Sequence, residues 1–384
     1  MYNSLIKYFG EEILTINKKV VAFLLSLILI ISSVYIYIQS NKKSDITIGF
    51  VGALTGKYSV LGNAMINGVL LAFEEKNYQI GDKNIKIVFQ DDKQNAKLNE
   101  KIINDYIKQD IKIVIGNVTS SMSKISMSII NKHKDMFMIS AASASNEFAG
   151  KDDQFFRVHV ANNDQRFQSF TTCILEDGFK KIYGIYDPFN ATYTKDYLIN
   201  FEKSFVKNGG DKFLAYAKTD GDLEKLVQDI KQKNPDIILM CANSVDAARV
   251  LQYVRLKGLK TQFAIAEWAR TPSFLENSGK SSENVIFNID YDEESKNPKY
   301  LKFVENYQKK YKTFPSMYAA KAYELSSIII EALENGSETQ IKEYVLNKKE
   351  FAGLQDTIIF DQYGDVIREF YNFKVIDGKY VRVK

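Results

Sequence analysis

Residues 212–241 read KFLAYAKTDGDLEKLVQDIKQKNPDIILMC. Two short apolar runs, KFLAYA (212–217) and DIILMC (236–241), enclose a stretch with a different period. Leu223, Leu226, Val227 and Ile230 recur at steps of three and four, the spacing of one face of a helix. A strand, a helix and a second strand in so short a segment make a βαβ unit, whose two strands run parallel.

The same alternation continues in both directions. Strands are predicted at 45–52, 84–91, 111–116, 136–140, 181–186, 262–266 and 284–289, and a second helical stripe at Ala322, Tyr323, Ser326, Ile329, Ile330 and Leu333. The pattern implies an α/β fold, with parallel sheets covered by helices on both faces and right-handed crossovers. The first four strands and the next five follow one plan, and no low-complexity linker separates them. The expected architecture is two Rossmann-like lobes with parallel sheets, joined by several crossing strands.

At 384 residues the chain has room for two lobes. Its 51 basic and 47 acidic side chains are intermixed, which describes solvated helix faces and not a nucleic-acid stripe. No GxxxxGK[ST], GxSxG, HExxH or CxxC pattern occurs, and neither His133 nor His159 stands in a catalytic or metal-binding motif. Asp91 and Asp92 at a strand end read as capping or solvated groups. No catalytic residue, metal or cofactor is expected. Cys173 and Cys241 read as two buried free thiols.

Near the N-terminus, VVAFLLSLILIISSVYIYI (20–38) contains no charge, Pro or Gly. As a helix it would extend about 28 Å, close to a bilayer core of about 30 Å. Lys18 and Lys19 precede it, Lys42 and Lys43 follow it, and Tyr35 and Tyr37 occupy interfacial positions. No small-residue cleavage site or lipid-accepting Cys follows. The expectation is one N-terminal transmembrane helix acting as a signal anchor, with residues 1–19 cytoplasmic and the remainder extracytoplasmic.

In open α/β sheets a ligand sits beyond the carboxyl ends of the strands, so the residues that follow each strand are the candidates. After 111–116 come Ser120 and Ser121 at a helix start, where free N–H groups favour an anion. After 136–140 come Ala142 and Ser143, small enough for close backbone approach. After 181–186 comes a loop with Asn190 and Tyr193, after 236–241 Asn243, and after 262–266 Glu267 and Trp268. Hydroxyls and a helix terminus on one side, with a carboxylate and aromatic faces on the other, are complementary to a small zwitterion.

Several segments resemble the type I periplasmic-binding-protein family, in its leucine/isoleucine/valine-binding branch. IGFVGALTGKYSVLGNAMINGVLLAFEEKN (48–77) is similar to its first strand, loop and helix, and IGNVTSSMS (115–123) to its carboxylate-binding Ser loop. TDGDLEKLVQDIKQKNPDIILM (219–240), GLKTQFAIAEWARTPSFLENSG (258–279) and YQKKYKTFPSMYAAKAYELSSIIIEALE (307–334) resemble later segments, in order. The resemblance implies that Ser120 binds a ligand carboxylate, that the backbone at Ala142 adds to it, and that Glu267 meets an ammonium group. Tyr193 and Asn243 fall near second-lobe contacts. The family usually has Thr where Ala144 stands, so this chain lacks that hydroxyl of the aliphatic amino-acid site unless Ser143 or Ser145 substitutes.

The resemblance further implies a three-strand hinge near residues 160, 290 and 367. Lobe 1 is then 45–160 plus 291–366, and lobe 2 is 161–290 plus 367–384. The implied activity is not enzymatic: a monomeric substrate-binding protein captures an amino acid or analogue and delivers it to the membrane permease of an ABC importer. A membrane-anchored sensor or co-receptor with the same clamp is the alternative, as is the same clamp for a neutral amide or aromatic ligand. Repressors that share the fold carry a DNA-binding domain where this chain has an apolar helix.

Overall fold

The computed structural model describes residues 20–33 and 45–383. Helix α1 (20–33) lies within the apolar N-terminal run; positions 34–38 and the segment 1–19 are outside the described residues. Among the described residues, no helix is long and apolar enough to cross a membrane.

The first sheet has six strands: β1 (Asp45–Gly52), β2 (Gln79–Ile80), β3 (Lys83–Asp91), β4 (Ile113–Gly116), β5 (Phe137–Ser140) and β6 (Phe155–Arg157), in the order β2-β3-β1-β4-β5-β6. The run from β1 through β4 and β5 to β6 is parallel. β4 and β5 are buried throughout, which is why they read as unbroken apolar runs. Helices α2 (Ser59–Glu74), α3 (Ala96–Lys108) and α4 (Ser120–Ile130) follow β1, β3 and β4.

The second sheet contains β7 (Ile182–Tyr186), β8 (Ala215–Lys218), β9 (Ile237–Cys241), β10 (Gln262–Ala266) and β11 (Ile286–Ile289), with α5 (Asp164–Glu176), α6 (Ala191–Lys207), α7 (Leu223–Lys233), α8 (Ser244–Leu256) and α9 (Pro272–Ser278) between and before them. Asp222 caps α7 by accepting from the backbone N–H groups of Glu224 and Lys225; Asn234 ends it at φ 45°, just before Pro235. Two features depart from expectation. The strand predicted at 212–217 forms at 215–218, where it pairs in parallel with β7. The sheet is also mixed, because β15 (Tyr371–Ile376) and β16 (Lys379–Arg382) extend it antiparallel beyond β11.

Between β11 and β15 the chain forms α10 (Pro298–Tyr311), α11 (Met317–Asn335), α12 (Ile341–Lys348) and a small antiparallel sheet, β12 (Glu350–Ala352), β13 (Thr357–Phe360) and β14 (Val366–Ile367). Helix α11 packs along α2. A Cβ at Gly68 would stand 2.1 Å from the Ala319 carbonyl oxygen, so this backbone approach requires glycine. The chain goes from the first sheet to the second after β6, leaves the second after β11 for α10–α12 and the small sheet, and returns to the second after β14; His159, Asp290 and Arg368 lie on these three segments. Cys173 and Cys241 are not disulfide-bonded; Cys241 is buried as expected, whereas Cys173 is only half-buried.

Candidate functional site

The carboxyl ends of the two sheets converge on one small cavity. Leu61, Val118 and Ala142 line it from the first layer, with Tyr318 at the start of α11; Asn190, Tyr193 and Trp268 line it from the second. Its volume is about 10 Å³, the space of one water molecule. A solute of amino-acid size does not fit in this volume.

On the first wall, the loops after β4 and β5 are tied together by serines. The Ser120 hydroxyl accepts from the backbone N–H of Ala144 at 3.2 Å and of Ser145 at 3.4 Å. The Ser140 hydroxyl accepts from Ala142 and Ser143 and donates to the Asn117 carbonyl. Ser143 and Ser123 share a 2.6 Å hydroxyl contact. Thr119, not Ser120, is the N-cap residue of α4. Ser121 turns its N–H across the cleft to the Asn190 side-chain oxygen at 3.1 Å.

On the second wall, Trp268 lies in a 3₁₀ turn directly after β10 and is buried. Tyr58 stacks on its face, centroids 5.4 Å apart at 13°, and Tyr193 meets it edge-on at 5.8 Å. Asn243 does not line the cavity. It caps α8 and donates to the Asp187 and Asp246 carboxylates at 3.0 and 2.6 Å.

Glu267 is fully buried and heavily paired. Its Oε1 accepts from the Tyr193 hydroxyl at 2.9 Å, lies 3.3 Å from His159 Nε2 and forms an ion pair with Arg166. Its Oε2 has no hydrogen-bond partner among the described residues. Burial alone would raise its pKa, but the Arg166 charge and the His159 hydrogen bond outweigh burial and hold it well below the usual carboxylate range. Burial, assisted by the Lys321 charge, pushes His159 down to about 4, so the ring is neutral at pH 7. Lys321 donates to Asp290 at 2.6 and 2.7 Å and contacts His159 Nδ1. That contact assigns the ring proton to Nε2, facing Glu267.

A second set of contacts joins the segments after β1 and β3 to those after β7 and β9. The Tyr58 hydroxyl donates to Asp187 at 2.8 Å, Lys57 pairs with Asp246 at 2.8 Å, and Gln94 donates to the Phe189 carbonyl at 3.1 Å. Lys57, Tyr58, Leu61, Val118, His159, Arg166 and Tyr318 are site residues that sequence reasoning missed. Lys57 and Tyr58 follow the first strand in the GALTGKY loop and could have been found by the strand-end rule applied to the other loops. Arg166 carries no such signal, since it sits on α5 and meets Glu267 only in the folded chain. Among the described residues, no cluster of three or more His, Cys, Asp or Glu side chains is arranged to hold a metal ion.

Comparison with known proteins gives this geometry a context. The Leu/Ile/Val-binding protein of Citrobacter freundii is 24% identical over 246 residues, 63% of this chain. The chain spans 66% of that relative's length, just under two thirds. A leucine binding protein from Thermotoga maritima superposes with a TM-score of 0.81 at 22% identity, covering 88% of this chain and 98% of that one. A solute binding protein of an ABC transporter from R. palustris, in complex with benzoate, gives 0.80 at 17% identity, with coverage of 88% and 96%. These likenesses share one fold, and the family profile of the periplasmic binding proteins matches residues 45–378. The chain belongs to the periplasmic binding protein family.

Proposed function

We propose that the chain is the extracytoplasmic solute-binding component of an ABC-type importer, closing two lobes on an amino acid or a similar small zwitterion. Lobe 1 comprises 45–160 plus 291–366 and lobe 2 comprises 161–290 plus 367–384, with the three passages between them acting as the hinge. Ser120, Ser121 and the backbone at Ala142 and Ser143 take the ligand's anionic end. Glu267 takes its N–H end, Tyr193 and Trp268 form the wall, and Asn243 steadies the rim. The observation that carries this reading is Glu267 Oε2, a fully buried carboxylate oxygen without a hydrogen-bond partner among the described residues, on a side chain next to the cavity wall. The apolar run 20–38 supports tethering to the membrane, with the lobes outside and the permease as partner.

A thermal-shift screen of the full chain in detergent tests the proposal, using amino acids, hydroxy acids, aromatic acids, amides and nucleosides. A ligand at about 100 times its Kd adds about 2.7 kcal/mol to stability. Stabilisation by amino acids supports the reading; stabilisation by nucleosides alone refutes it. One observation favours a second reading. Tyr193, Trp268 and Tyr318 line the cavity with aromatic surface, which suits a flat aromatic ligand packed against Trp268.

A further inference from the structure

The two oxygens of Glu267 differ. Oε1 collects Tyr193, His159 and Arg166, while Oε2 is buried and has no hydrogen-bond partner among the described residues. The charge of Glu267 is already balanced inside the protein. Arg166 neutralises it, and beyond the neutral His159 ring the Lys321–Asp290 and Arg368–Glu324 pairs cancel in turn. Such a cluster does not call for an added positive charge. It calls for a donor that satisfies Oε2, because an unpaired buried acceptor is costly whereas a further buried charge is costlier still.

We propose that Arg166 is a specificity residue: by supplying the countercharge to Glu267, it lets the site accept small carboxylic acids whose α-substituent is any N–H or O–H donor, α-hydroxy acids together with α-amino acids. The inference rests on the binding role proposed above, with the ligand's carboxylate held at the opposite wall by the start of α4. If Arg166 were absent, Glu267 would be an unbalanced buried charge and would select the ammonium group.

Matched pairs test this by calorimetric titration of the full chain in detergent: alanine and lactate, leucine and 2-hydroxy-4-methylpentanoate, phenylalanine and 3-phenyllactate. For the pair that binds, wild type is expected to hold both members within roughly tenfold in Kd. Arg166→Met should shift the ratio at least roughly tenfold towards the amino acid, and Arg166→Lys should keep the wild-type ratio. If Arg166→Met does not fold, as judged by circular dichroism, the double variant Arg166→Met/Glu267→Gln removes both charges. Its ratio should then stay within roughly tenfold of the wild-type ratio, because the net charge of the pair is unchanged. A wild-type preference for the amino acid beyond about 100-fold, a ratio unmoved in folded Arg166→Met, or a ratio moved more than roughly tenfold in the double variant overturns the role of Arg166. Absence of binding by every pair overturns the binding reading itself, and the inference with it.

Discussion

The Tyr58 hydroxyl donates to the Asp187 carboxylate at 2.8 Å while its ring lies flat on Trp268, so one side chain on the first layer is held twice by the second. Burial, reinforced by the Asp187 charge, raises the Tyr58 pKa, and the phenol stays protonated as the donor. Tyr58→Phe keeps the stack and loses the hydrogen bond. It should cost about 1 kcal/mol in urea unfolding, whereas Tyr58→Ala should cost about 3 kcal/mol. Equal effects of the two substitutions would mean that the stack contributes nothing.

Acid should weaken the fold in two stages. A His whose folded pKa lies below its unfolded value binds protons more readily when unfolded, so stability falls as pH drops from about 6.5 towards 4. The groups facing His159 are Glu267, Asp290, Lys321 and the Tyr318 ring. Between pH 7 and pH 5 the loss through His159 should be on the order of 2 kcal/mol. Glu267, with its depressed pKa, adds a further loss below the ordinary carboxylate range. Urea unfolding at pH 7 and pH 5 measures the first stage, and His159→Gln should flatten it. An unchanged slope in that variant contradicts the assignment.

Gly68→Ala should destabilise the first layer by about 1–3 kcal/mol, because its Cβ would meet the Ala319 carbonyl oxygen at 2.1 Å and force α2 from α11. Gly56, whose added Cβ would meet nothing within 4 Å, is the comparison: its φ of 75° makes Ala strained there without crowding a neighbour. Thermal melts of both variants separate the two causes. A Gly68→Ala melt equal to wild type contradicts the close packing.

Much of the scaffold was legible because each element announced itself locally. In α7, the Asp222 cap, the Leu223–Ile230 stripe and the Asn234-Pro235 stop all sit within one stretch. The β8 strand was displaced because its ends are set by pairing with Tyr183–Tyr186, not by where apolar residues cluster. The sheet of β12 to β14 escaped notice because strands of two to four residues are too short to display an alternating period. At the site, strand-end loops pointed to Ala142, Tyr193 and Trp268, which line one cavity. The Arg166–Glu267 pair was illegible, since it joins an early helix to a later loop and leaves no spacing pattern.

The apolar run at 20–38 should keep the full chain in the membrane fraction. N-terminal sequencing of protein purified from cells checks this. A mature soluble form that begins near Asn41 would contradict it.

Titration of Glu267→Ala against wild type tests the central claim most directly, using the strongest ligand from the screen. A hydrogen bond to a buried charged group is worth about 1.5–3 kcal/mol, so the variant should bind roughly 10- to 150-fold more weakly. Ser120→Ala should lose less, because backbone N–H donors remain at the start of α4. Binding of the ligand by Glu267→Ala as tightly as by wild type would contradict a clamp that grips its ligand through Glu267.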